Sequence, residues 1–157
     1  MSMRYEMVFT CFLKDDTPES VLNALRWHMG LRADRPESVG GVEYSHPLLT
    51  PNSDSNTNLA GGEVARLVHQ ARGSRDAWGL FVRVLWPDDI LEELVSVLDL
   101  LAPHVDEPGY GGYFREEADA WPSVFMFREG VYDVTGPMSD FRRDFDASAG
   151  GRRPAES

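Results

Sequence analysis

Apolar and polar residues alternate along the first stretch of the chain. Met3, Tyr5, Met7, Phe9, Cys11 and Leu13 fall on one side, Arg4, Glu6, Thr10 and Lys14 on the other, with Val8 and Phe12 as apolar interruptions. A period of two predicts a strand whose odd-numbered face meets a core. Cys11 on that face reads as a small buried hydrophobe and not as a nucleophile, because a reactive thiol wants a basic neighbour and none is near. Asp15-Asp16-Thr17-Pro18-Glu19 then predicts a helix start, with Thr17 as N-cap, Pro18 at the first helical position and Glu19 favourable to the dipole. Val21, Leu22, Leu25, His28 and Met29 recur at helical spacing, and Gly30 is placed to end the helix in a left-handed conformation.

Residues 31–62 show neither period; they carry Pro36, Gly40, Gly41, Pro47, Pro51 and the polar run Asn52 to Asn58. We expect a long irregular loop there, with His46-Pro47-Leu48-Leu49 as its apolar anchor. Glu63 to Gln70 predicts a modest strand. Trp78 to Trp86 predicts a stronger one, with Trp78, Leu80, Val82, Val84 and Trp86 on one face, and the polar stretch Arg72 to Asp76 joins the two as a hairpin. Pro87-Asp88-Asp89 opens a second helix, where Asp89 and Glu92 have capping-box spacing and Ile90, Leu91, Leu94, Val95, Leu98 and Leu101 form an apolar stripe ended by Pro103. Gly109 to Arg115 and Ser123 to Val134 are read as two further strands joined by the acidic stretch Glu116 to Pro122.

The predicted order is β-α-β-β-α-β-β. It describes an α+β fold of the ferredoxin-like, split βαβ kind: an antiparallel sheet with two helices on one face and an extra strand. Residues 1–137 would form one domain and residues 138–157 a largely disordered tail. Val8, Phe12, Phe81 and Leu85 fall on the far side of the sheet and are too apolar for open water. Loop 31–62 or a second subunit is expected to cover them, and a homodimer formed through the sheet follows from that expectation.

Charge and cysteine usage narrow the partners. The 157 residues carry a formal net charge of −11, which repels phosphate backbones and anionic lipid surfaces and predicts neither nucleic-acid nor membrane binding. Lys14 is the single lysine, a hint of a GC-rich bacterial genome. One cysteine allows no intrachain disulfide. No apolar run approaches the roughly 18 residues of a spanning helix, and the polar start lacks the core of a signal peptide. A cytoplasmic location is expected.

Candidate chemistry is sparse. His28, His46, His69 and His104 stand apart with no HxH or HExxH spacing, so no metal or other cofactor is expected. Gly109, Gly111 and Gly112 have the composition of a phosphate-cradling loop but precede a strand and not a helix, which favours close packing or a bulge. Glu116, Glu117 and Asp119 suit a solvated turn. His69, Tyr113 and Glu116 are the candidates for acid–base chemistry, and Trp78, Trp86 and Tyr110 the candidates for ligand contact; Trp121 and Tyr5 complete the aromatic set.

Taken together, the opening strand, Asp16-Thr17-Pro18-Glu19, His46-Pro47-Leu48-Leu49, Trp78 to Trp86, Ala102-Pro103, and Gly109-Tyr110 leading to Tyr113 and Glu116-Glu117 resemble a family of small actinobacterial α+β proteins over roughly residues 3–130. The resemblance implies a single domain and carries no activity. Two functional classes follow from the residues: a binding or interaction module that self-associates through its sheet, or a cofactor-independent small-molecule enzyme or binder of the dimeric α+β barrel type. A small-molecule or protein partner fits either.

Overall fold

The opening alternation becomes β1 (Arg4–Lys14), an interior strand of the sheet with both of its edges paired. In the computed structural model, which describes residues 3–39, 44, 46–53 and 58–140, β1 is followed by α1 (Glu19–His28), β2 (Val64–Arg72), β3 (Arg75–Pro87), α2 (Leu94–Leu101), β4 (Gly109–Glu116), β5 (Ser123–Arg128) and β6 (Val131–Thr135). All six strands join one antiparallel sheet in the order β2-β3-β1-β4-β5-β6. The fold is α+β, as the pattern predicts.

Register decides what each face holds. Met7 lies opposite Val84 and Phe114, and Phe9 opposite Val82 and Gly112. These side chains form one buried cluster with Leu13, Leu80, Trp86, Phe125, Phe127 and Tyr132, with Val21, Ala24 and Leu25 of α1, and with Leu94, Val97, Leu98 and Leu101 of α2. Both helices therefore bury their apolar stripes on the same face. Phe9, Phe114 and Phe125 stack across three strands, with centroids 5.6 and 5.5 Å apart, an arrangement worth more than the buried area alone.

Several boundaries differ from the sequence expectation. Thr17 does not cap α1: its hydroxyl and its N–H both go back to the Lys14 carbonyl, closing the turn after β1, and Pro18 takes the cap position. Gly30 does adopt the left-handed conformation, φ 79°, as Leu31 N–H returns to the Arg26 carbonyl. The second helix starts as a 3₁₀ segment, Asp88–Glu93, with no side-chain cap, so Asp89 and Glu92 form no capping box. The stretch Ser123 to Val134 is not one strand. It is the β5–β6 hairpin, turned by Glu129 and Gly130 at φ 45° and 85°, the pair of positive dihedrals that a tight hairpin turn requires.

The long loop anchors through its apolar knot. Leu48 and Leu49 enter the core, Leu48 N–H donates to Nδ1 of His28 at 3.1 Å, and Trp86 Nε1 donates to the Leu48 carbonyl at 2.7 Å. Residues 58–62 run along the opposite face, where Arg83 holds the carbonyls of Ala60 and Gly62 and Leu59 is buried. Of the predicted tail, Met138 N–H binds Ser123 Oγ; residues 141–157 lie outside the described set. No helix of the described residues is long and apolar enough to cross a membrane.

Candidate functional site

The helix-free face of the sheet carries the most accessible chemistry. Two cross-strand rows define its centre: Arg66 of β2, Phe81 of β3 and Thr10 of β1 lie side by side, and in the next row Val68, Gly79 and Phe12 do the same. Side chains in such rows stand about 5 Å apart and cover the backbone between them. Gly79 contributes no side chain at the middle of its row, where the Gln70 amide and the edge of the Phe12 ring lie over it, and an open hollow of about 760 Å³ extends around them, within the range of ligand sites.

Aromatic and apolar groups form most of its wall. Phe12, Val68, Phe81 and Tyr110 line it, with Phe81 40% and Tyr110 52% exposed. The glycine also makes room for the Gln70 amide: a Cβ at position 79 would stand 2.2 Å from Gln70 Oε1, so this flexible side chain lies flat over the strand. Thr10, Gln70 and Arg66 supply the polar lining.

The far end is closed by ion pairs. Arg72 and Arg75, flanking the β2–β3 turn, both bind Asp106 and Glu107, at 3.0–3.1 Å in the closest pairs. Arg72 also lies over the Phe12 ring, 4.4 Å from its centroid, a cation–π contact that fixes the guanidinium against the wall. This clasp ties the hairpin tip to the segment leading into β4. It explains why Glu107, Pro108 and Gly109 form the rim.

Tyr110 reaches the hollow through a bulge. The β4–β5 register shifts between Tyr110 and Gly112, so that Tyr110 pairs with Met126 and Tyr113 with Val124. The extra residue puts both tyrosines on the helix-free face although three positions separate them. At Gly112, φ 126°, a Cβ would stand 2.0 Å from the Val8 carbonyl oxygen, and at Gly111 one would stand 2.1 Å from the Phe127 ring. The glycine cluster is thus a packing device, as its position before a strand suggests.

Beside the hollow, Glu6 is buried on the same face and doubly held. Tyr113 Oη donates to one carboxylate oxygen at 2.7 Å and Arg115 to the other at 2.9 Å. Burial first, and then the bond to the Glu6 carboxylate, pushes the Tyr113 phenol up to about 12, so the group stays protonated as a donor. Burial likewise holds the Cys11 thiol at about 12, far from thiolate chemistry.

The other candidate residues lie elsewhere. His69 is on the helix side of β2, exposed, 2.7 Å from Asp15 and against Trp78. Trp78 also carries the Arg26 guanidinium 5.5 Å from its ring. Trp86 is in the core, and Glu116 pairs with Tyr5 at the end of β4 on the helix side. Of the six candidates, only Tyr110 lines the hollow, with Tyr113 adjacent on the same face. Thr10, Arg66, Gln70, Gly79 and Phe81 carry no sequence motif; the signal that points to them is a lone glycine inside a strong strand, a mark of close approach or a missing wall. Among the described residues, no three His, Cys, Asp or Glu side chains gather as metal ligands. No family model, curated protein or solved structure matches the chain, so function is argued from this geometry.

Proposed function

We propose that the protein is a cytoplasmic binding module whose site is the helix-free face of its sheet, centred on the hollow over Gly79. The observation that carries this reading is the hollow itself: it is concave, walled by exposed aromatic rings and supplied with a hydroxyl, an amide and a guanidinium. Such a mixture of apolar wall and few polar groups is what ligand sites present. Binding is favoured over turnover because the titrating side chains of the described lining are a thiol held protonated by burial, the Tyr110 phenol, whose pKa partial burial raises further above its ordinary value, arginines, and Glu107 clasped by Arg72 and Arg75.

The architecture we assign is a split βαβ unit of the ferredoxin-like kind, with β5 and β6 added at one edge. The order β2-β3-β1-β4 and the two helices sharing one face support it. Self-pairing through the same sheet face is the second reading, favoured by the exposure of Phe81 and Tyr110 there. Amide chemical-shift mapping with a library of small aromatic fragments tests the first. Shifts should concentrate at Thr10, Phe12, Val68, Gly79, Phe81 and Tyr110; hits confined to the helix side, or none, overturn it. Sedimentation of the wild type against Phe81→Asp tests the second, which requires a dimer that this substitution dissociates.

A further inference from the structure

We infer that the hollow takes an aromatic monoanion, such as an arene carboxylate, with Arg66 as its counter-ion; this deepens the binding reading above and rests on it. The charge pattern of the arginines is the ground for it. Arg4, Arg26, Arg72, Arg75, Arg115 and Arg128 each pair with a carboxylate, and Arg83 is engaged by the carbonyls of Ala60 and Gly62. Arg66 and the exposed Arg32 have no ion pair or hydrogen bond among the described residues, and of these two Arg66 lines the hollow. In a chain of net charge −11, an unpaired guanidinium at the mouth of an aromatic-walled hollow is a local reversal of sign, and it draws an anion to that point.

The rest of the lining sets the ligand's class. Phe81 is the cross-strand neighbour of Arg66, and Phe12 lies one row away, directly beside Gly79, so a flat ring seated against the two phenylalanines brings a carboxylate attached to it toward the guanidinium. Arg and carboxylate are matched in geometry, forming two parallel N–H···O bonds. Thr10 and Gln70 lie within the same hollow as further donors. Polyanions fit poorly. Arg72 and Arg75 are already neutralised by Asp106 and Glu107, so this end of the hollow offers no free cation to a second negative charge. A nucleotide polyphosphate or inorganic phosphate is therefore disfavoured relative to a single carboxylate.

The test compares 2-naphthoate with its neutral isostere 2-naphthamide, by calorimetry and amide shifts on the full chain. The wild type should bind the carboxylate about fivefold more tightly or better, the range expected of a charge-assisted pair partly open to water. Arg66→Gln, at an exposed position with no partner among the described residues, should retain the fold and bring the two ligands close to parity, the carboxylate losing more affinity than the amide. Phe81→Ala should weaken both. Equal binding of the two compounds in the hollow of the wild type, or a preference that survives Arg66→Gln, overturns the anion assignment alone. Absence of shifts in the hollow with either compound overturns the assignment, and absence with every fragment overturns the binding reading beneath it.

Discussion

Acidification should loosen this protein through His28. The imidazole is fully buried at the end of α1, packed edge-on against Trp27 and Tyr44, and its Nδ1 accepts the Leu48 N–H, which requires an unprotonated nitrogen there. Burial first, and the like-charged neighbour His46 second, lowers its pKa from the ordinary 6.5 to about 4. The folded state thus prefers neutral imidazole, so its contribution to stability is complete above the unfolded value and is lost as pH falls from 6.5 toward 4. A displacement of that size corresponds to roughly 3 kcal/mol over the whole window, of which about 2 kcal/mol is gone by pH 5. Urea unfolding of the wild type and of His28→Asn, whose side-chain oxygen can still accept from Leu48, measures it at pH 7, 6 and 5. The variant should start less stable and then lose about 2 kcal/mol less than the wild type on going to pH 5. Parallel loss in the two proteins would refute the buried, neutral assignment and the anchoring of the long loop through it.

Two further substitutions probe the helix-free face. Gly112→Ala places a Cβ against the Val8 carbonyl at a positive φ, and we expect a loss of about 3 kcal/mol or more, seen by calorimetry as a melting point lower by about 6–12 °C. Arg115→Ala leaves the buried Glu6 carboxylate with Tyr113 as its remaining side-chain partner, a cost of about 3 kcal/mol. Adding Glu6→Gln to that variant should recover part of the loss, since the uncompensated charge is removed with it; a double-mutant cycle with no coupling would contradict the pairing.

The strands that alternate strongly were legible from the residues alone. Met7, Phe9 and Leu13 on β1, and Leu80, Val82, Val84 and Trp86 on β3, occupy the face their spacing assigns, because a period of two allows one arrangement once one face is buried. Helix ends were less legible. Thr17 and Asp89 have the residue types of caps, yet nearby backbone claims the Thr17 hydroxyl, and a 3₁₀ segment replaces the first turn at Asp88. The β5–β6 turn was hidden by Glu129, since a non-glycine residue at positive φ leaves only Gly130 as a sign. Most of the site was not legible, for a physical reason: Arg66, Phe81 and Thr10 meet through register between three strands, and no local pattern encodes which residues of separate strands share a row. His69 and Trp86 drew notice as chemistry-bearing types, but register turns them to the helix side.

Filling the hollow shows whether a ligand sits on the helix-free face of the sheet. At Gly79 the backbone is not in the left-handed region and the nearest obstacle is the flexible end of Gln70, so Gly79→Leu should keep the fold and project its side chain where a ligand would sit. The variant should melt within a few degrees of the wild type, keep native amide spectra elsewhere, and no longer bind 2-naphthoate. Undiminished binding by a folded Gly79→Leu protein would place the site somewhere other than the helix-free face.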